Sequence, residues 1–305
     1  VYIMILPAMA IISELMATFS RKRVFGYTLV AYSSISIAIF GFLVWGHHMF
    51  ITGMNPFLGG VFVFTTLLIA IPSAVKVFNY ITTIWKGNIV FTPAMLFSIG
   101  LVSTFITGGV TGIILADSAL DIDVHDTYFV VGHFHIVMGL SAIFGMFAGL
   151  YHWFPKLYGR MMNRKMGYVH FWVTIVCGYG VFFPMHFTGL AGAPRRYYDY
   201  SEFPFLDHVI DLNVVISVFA VIGTLAQIIF LFNFFYSAIR GAKAVQNPWK
   251  SNTLEWTTPV EHVHGNWVGE IPEVHRWPYD YSKPGKEEDF CPQNIPLEEG
   301  EEEHG

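Results

Sequence analysis

In the stretch VVGHFHIVMG, residues 131–140, two histidines stand two positions apart in an apolar run. On a helix His133 and His135 point about 200° apart, so they cannot share one ion on one face. Neutral imidazole is a favoured ligand of haem iron and of copper. Opposed rings on one helix suit two flat cofactors, one on each side, with electrons crossing the short gap past Phe134. A second pair, His47 and His48 in WGHHMF, is adjacent. Its rings lie about 100° apart on a regular helix. They converge on one ion only if the helix end is distorted, and copper would need at least one more ligand. Any one of these rings alone reads as a core or interfacial histidine. Two pairs in one membrane protein argue for metal chemistry, because imidazoles and charges inside a bilayer are costly and are usually functional.

The elements that must hold these rings are long apolar segments. The chain has 305 residues, 54% of them apolar and 13% charged, against about 25% charged in ordinary soluble domains. Apolar runs cover about 1–19, 27–50, 58–85, 93–115, 127–154, 167–191 and 208–239. Each reaches or approaches the roughly 20 residues a helix needs to cross the hydrocarbon. In lipid the backbone must satisfy itself, so the expected fold is an all-α polytopic transmembrane bundle over residues 1–243. The chain opens inside an apolar run, VYIMILPAM, with no charged n-region. We therefore expect a span that starts mid-way in a longer or split polypeptide, not a signal peptide.

Loop charges give an orientation. Arg21, Lys22, Arg23, Lys86, Lys156, Arg160, Arg164, Lys165, Arg240 and Lys243 fall in alternate gaps, while ITGMNPFL is uncharged and ADSALDIDVHD is acidic. The basic gaps are expected in the cytoplasm. One outer loop, GAPRRYYDY with Arg195 and Arg196, breaks the rule and invites a reason. The net charge of −5 comes mostly from the C-terminal EEDF and LEEGEEEHG stretches. Residues 244–305 read as a polar cytoplasmic tail whose acidic end is expected to be disordered. Its His262, His264 and His275 read as surface histidines or partner contacts. Cys177 and Cys291 suggest neither a disulfide framework nor a thiolate metal site. No basic, aromatic-interleaved patch speaks for nucleic acid.

Further polar residues sit where a bilayer would be. VHDTYFVVGHFH places His125 and Asp126 at the outer edge of the fifth span. Lys76 lies mid-span in IAIPSAVKVFNY and needs water, a partner or snorkelling. Asp126 also suits a helix N-cap.

Together WGHHMF, VHDTYFVVGHFH and GLAGAPRRYYDY resemble subunit I of the haem–copper oxygen reductases, and more narrowly its aa3-type cytochrome c oxidase branch. The resemblance covers residues 1 to about 257, as the C-terminal seven of roughly twelve spans. It implies that His47 and His48 are two of three ligands of the active-site copper, CuB, with Trp45 packed beside them. It implies that His133 holds the iron of the high-spin haem a3, and His135 that of the low-spin haem a. Tyr2 matches the tyrosine that assists O–O cleavage. Arg195 and Arg196 match an arginine pair over the haem propionates, as guanidinium–carboxylate pairing favours. His125 and Asp126 match a Mg or Mn site. Lys76, with Ser73 near it and Ser13 and Glu14 towards the cytoplasmic end, matches a proton channel. The implied function is four-electron reduction of O2 to water with electrons from cytochrome c, coupled to proton pumping.

The third copper histidine, the second low-spin haem ligand and a second proton channel of the family fall outside this chain. The resemblance therefore implies an N-terminal portion of subunit I as partner. It also implies a subunit II carrying CuA, a subunit III, and cytochrome c or a tethered haem domain as donor, in a bacterial inner membrane. A quinol oxidase shares most of these residues, although Asp126 favours the cytochrome c type. A nitric oxide reductase would lack the Lys76 and Tyr2 pattern. A dihaem electron-transfer protein spaces its histidines about four turns apart, and a channel or transporter would leave the histidines unexplained.

Overall fold

The computed structural model describes residues 1–258, 266–267, 269–281 and 289–296. Among them seven helical segments are long and apolar enough to cross a membrane: Tyr2–Ser20, Tyr27–Met49, Pro56–Ile84, Pro93–Ala116, Tyr128–Tyr158, Arg164–Leu190 and Pro204–Arg240. They agree with the expected segments to within a few residues at each end, and the all-α bundle is the fold observed.

Several spans are broken, two of them at prolines. The first and fourth spans are single helices, α1 (Tyr2–Ser20) and, later in the chain, α5 (Pro93–Ala116). The second is α2 (Tyr27–Gly41) followed by a 3-10 turn over Trp45–Met49. The third divides at Ile69 into α3 (Pro56–Leu68) and α4 (Ala70–Ile84), because Pro72 has no N–H to continue the ladder. A short α6 (Ser118–Val124) then precedes the fifth span. That span runs through α7 (Tyr128–Phe134), a π segment over His135–Leu140 and α8 (Ser141–Tyr158). Ser141 Oγ donates to the Ile136 carbonyl at 3.1 Å and meets Thr104 Oγ1 at 2.8 Å. Such π-bulges concentrate at functional sites. The sixth span divides before Pro184 into α9 (Arg164–Phe182) and α10 (Pro184–Leu190), and the seventh is α11 (Ile210–Arg240) with a preceding 3-10 turn. Asn55, Thr92, Thr127 and Asn163 cap helix starts by accepting backbone N–H groups.

The core joins α1, α5 and α8, with Met9, Ile12, Leu15, Met95, Phe97, Leu101 and Phe144 nearly inaccessible. α11 packs on α9, and α2 on α4. Gly108 permits a close approach of α5 to the fifth span: a Cβ there would lie 2.6 Å from the Val137 backbone. Small residues allow this packing in lipid, where dispersion and shape fit replace the hydrophobic drive. The outer faces of α2 and α11 carry exposed Leu29, Ile35, Val218, Leu225 and Phe232, as lipid-facing surfaces do.

The described parts of the C-terminal region fold back onto one end of the bundle. Asn252, fully buried, donates its side-chain N–H to the Asp280 carbonyl (3.1 Å) and accepts from the Cys291 N–H (2.8 Å). Arg21 ends α1 in a left-handed conformation and donates to both carboxylate oxygens of Asp289, at 2.9 and 3.0 Å. The expected disordered acidic end, 297–305, and His262 and His264 lie outside the described residues; His275 sits near Glu273, 3.6 Å away.

Candidate functional site

The π-distorted fifth span presents its two histidines in complementary ways. His133 Nδ1 lies 2.9 Å from the Gly108 carbonyl and 3.1 Å from Thr111 Oγ1, both on α5. His135 Nδ1 lies 2.9 Å from the Val131 carbonyl on its own helix. A carbonyl only accepts, so each Nδ1 carries the proton and each Nε2 keeps its lone pair. This is the second-shell arrangement that orients a ligating imidazole. Gly112 makes room for the His133 ring, since a Cβ there would lie 2.9 Å from Cε1. His135 stacks on Phe182, with centroids 4.6 Å apart and planes 8° from parallel, and also contacts Phe134.

The second pair sits on the 3-10 turn, which supplies the distortion that convergence needs. The Nε2 atoms of His47 and His48 are 3.0 Å apart, and His47 Nδ1 is held by Thr66 Oγ1 at 3.2 Å. His47 lies within Coulombic reach of His133. Two convergent imidazole nitrogens with a hydroxyl behind one ring fit copper, and the free Nε2 atoms of His133 and His135 fit haem iron. Trp45 packs edge-on against Phe62, and Tyr2 lies against the end of α2, its ring 3.1 Å from where a Cβ on Gly41 would stand. Among the described residues no group of three His, Cys, Asp or Glu forms a complete metal site.

The same end of the molecule carries the arginine loop. Arg195 forms an ion pair with Asp126, and its N–H donates to the Asp126 carbonyl at 2.9 Å. Asp126 (φ 54°) and Arg196 (φ 74°) both adopt the left-handed region, which is uncommon outside glycine and often marks a functional constraint. Arg195 Nε is buried without a hydrogen-bond partner. A buried donor without an acceptor is costly, and a propionate carboxylate would supply one. Arg196 is exposed. His125 donates from Nδ1 to Asp121 Oδ2 at 2.6 Å, one helical turn earlier. Burial pushes the Asp121 carboxyl up, against the hydrogen bond from His125 that draws it down. The structure thus groups His125 with Asp121, and Asp126 with Arg195. The i, i+4 spacing in DIDVH was the available sign.

Lys76 is buried at 2% exposure, and its ammonium donates to Ser34 Oγ on α2 at 2.7 Å. Ser73 instead bonds the Ile69 carbonyl on its own helix. One turn beyond Lys76, Tyr80 meets Ser13 Oγ at 3.0 Å and donates to the Met9 carbonyl at 3.0 Å. Ser34 and Tyr80 were not singled out in the sequence. The K-V-F-N-Y spacing alone shows that Tyr80 shares the Lys76 face.

Comparison with known proteins bears on this geometry. Residues 1–222 match the family described as Cytochrome C and Quinol oxidase polypeptide I. The chain belongs to that family. It is 46% identical over 302 residues to an alternative cytochrome c oxidase subunit 1 of Bradyrhizobium diazoefficiens, covering 98% of this chain and 51% of that protein. It is 43% identical over 281 residues to a cytochrome c oxidase subunit 1 of Thermostichus vulcanus, covering 92% of this chain and 50% of the relative. The chain therefore spans about half the length of the curated relatives it matches. A solved haem–copper terminal oxidase dimer shares the fold at TM-score 0.71 and 20% identity, over 80% of this chain and 48% of that one. As a family member the chain is a segment of a haem–copper oxidase subunit I, with seven helices long and apolar enough to cross a membrane.

Proposed function

We propose that this chain forms the catalytic part of a terminal respiratory oxidase that reduces O2 to two waters with four electrons and four protons, using cytochrome c as donor and pumping protons. The observation that carries this reading is the placing of His133 against His135: two rings on opposite sides of one helix, each fixed through Nδ1 and open at Nε2, beside a convergent His47–His48 pair on the 3-10 turn.

His135 would hold haem a and His133 haem a3, while His47 and His48 would hold CuB; when bound, these groups deliver electrons one at a time to O2. The chain's own residues do the positioning. Thr111 and the Gly108 carbonyl fix the His133 ring, and Thr66 fixes His47. Arg195, paired with Asp126, offers its buried Nε to a haem propionate, and Arg196 stands beside it. Tyr2, which lies at the end of α2 that leads to His47, would give a proton and an electron to the reaction. His125, oriented by Asp121, would take a Mg or Mn ion, with Asp126 as the expected second ligand. Protons would arrive along Ser13, Tyr80, Ser34 and Lys76, with Glu14 at the cytoplasmic end and Ser73 on the Lys76 face.

In this reading a subunit II would carry CuA, a subunit III would complete the complex, and an N-terminal portion of subunit I would supply the missing ligands. The basic end of the bundle and the folded-back C-terminal region would face the cytoplasm of a bacterial inner membrane. The second reading is a quinol oxidase, since the matched family covers both donors.

The test is a pair of optical difference spectra on the purified complex, reduced minus oxidised and reduced plus CO. One CO-binding high-spin haem beside an unreactive low-spin haem is expected, with band positions that name haem a. CO insensitivity of both haems would return the dihaem electron-transfer alternative. Oxygen uptake driven by reduced cytochrome c or by quinol then separates the two donors.

A further inference from the structure

We infer that the C-terminal region supplies a working residue of proton uptake: Tyr279 clamps the Glu14 carboxyl so that one oxygen is fixed and the other is left to accept a proton. The inference rests on the oxygen-reductase reading above and adds to it a residue from outside the membrane spans.

Glu14 lies on α1 one residue after Ser13, which touches Tyr80 on the Lys76 face of α4. The Tyr279 hydroxyl donates to Glu14 Oε2 at 2.5 Å. Glu14 Oε1 is buried and has no hydrogen-bond partner. A phenol–carboxylate bond is charge-assisted when the carboxyl is ionised, about twice the strength of a neutral one. It holds the side chain in one rotamer and leaves the second oxygen as the site where a proton from water can add. A proton passed from a hydronium ion to Oε1 breaks one O–H bond, leaving water, and forms one at Oε1; it neutralises the carboxylate and can pass inward to the Ser13–Tyr80 pair, and no electron moves.

The reach of Tyr279 is built by the fold. Its ring packs on a small cluster of Ala17, Val24 and Val30, between α1 and α2. The next residue, Asp280, pairs with Arg23 at 2.5 Å, and Arg21 lies over the Tyr281 ring at 4.5 Å. Trp277 meets Tyr27 edge-on. Three successive residues, 279–281, thus each engage the α1 end or the loop after it, and the sequence separation from Glu14 is 265. The charged and titratable groups around the pair are Tyr27 and Tyr281 near Tyr279, and Glu255 near Glu14, itself close to Lys156.

The experiment uses the whole oxidase complex with Y279F, E14Q and the double variant. Optical spectra confirm that haem content is unchanged, and a pH-indicator dye in stopped flow follows proton uptake on reduction. Y279F is expected to slow uptake about tenfold, the change that corresponds to roughly one charge-assisted hydrogen bond. In the E14Q background, where uptake is already slow, adding Y279F is expected to change nothing, because the two act through one bond. Additive effects, or a Y279F rate equal to that of the unaltered complex, would overturn the clamp. A complex that consumes no O2 before any substitution would overturn the functional reading instead, so the two failures are distinct.

Discussion

His133 and His135, two residues apart, are oriented by carbonyls of different helices: Gly108 on α5 for the first and Val131 on its own helix for the second. The first ring is therefore sensitive to how α5 packs, while the second is hydrogen-bonded within its own turn and stacked on Phe182 of α9.

That difference predicts a selective defect. G112A pushes a methyl group towards His133 Cε1, at a separation of 2.9 Å. Overpacking of this kind costs about 1–3 kcal/mol where nothing can yield. The CO-binding haem should lose occupancy or shift its band, while the low-spin band stays. H133A should remove the CO signal outright, and H135A the low-spin signal. Difference spectra on each variant check all three.

The convergence of His47 and His48 on a distorted turn predicts copper dependence. H47N or H48N should leave less than one copper per complex at that site by metal analysis. T66V removes the hydroxyl behind His47 Nδ1, and outer-shell losses of this type weaken metal binding by about 10- to 100-fold. Copper retention through chelator dialysis should fall in T66V without loss of either haem.

Lys76 reaches Ser34, and Tyr80 reaches Ser13. K76M should slow proton-coupled turnover by two orders of magnitude or so, as loss of a positioned acid–base group typically does. Y80F and S34A should each slow it less, and S73A should change little because Ser73 bonds its own helix. Oxygen consumption with saturating donor measures the series.

Acid should release the C-terminal region. The Arg21 guanidinium beside Asp289 holds that carboxyl below its usual range. A depressed carboxylate pKa contributes stability that is fully present above the unfolded value of about 3.9 and is lost as pH falls through the folded value. Protease cleavage of the 250–296 region should therefore rise as pH drops below about 4. D289N should be cleaved readily at neutral pH and show a weaker pH response.

Much of the fold was legible because its signals are local. Apolar length set the seven spans, and Pro72 and Pro184 stand where the third and sixth spans break. The histidine pairs and Arg195–Arg196 were visible for the same reason, as was Lys76: a polar residue in an apolar run stands out without knowledge of its neighbours. What surrounds them was not legible. Thr111 and Gly112 look like ordinary helix residues until α5 lies against the fifth span. Asp126 next to His125 in sequence suggested one site, but the backbone at Asp126 turns left-handed and sends its carboxylate to Arg195, while His125 turns back to Asp121.

The sequence by itself determined which segments are helices, where their charged ends lie, and which imidazoles and charges sit at bilayer depth. These follow from hydrophobic length, capping and composition, which act within a few turns of one residue. Only the tertiary structure decided the proton on each histidine Nδ1, the partner of Lys76, and the return of Tyr279, Tyr281 and Asp289 to the α1 end. Those depend on pairs such as Glu14–Tyr279, 265 positions apart. Contacts at such separation are chosen by packing and by the cost of leaving a buried polar group without a partner, and no local pattern records that choice.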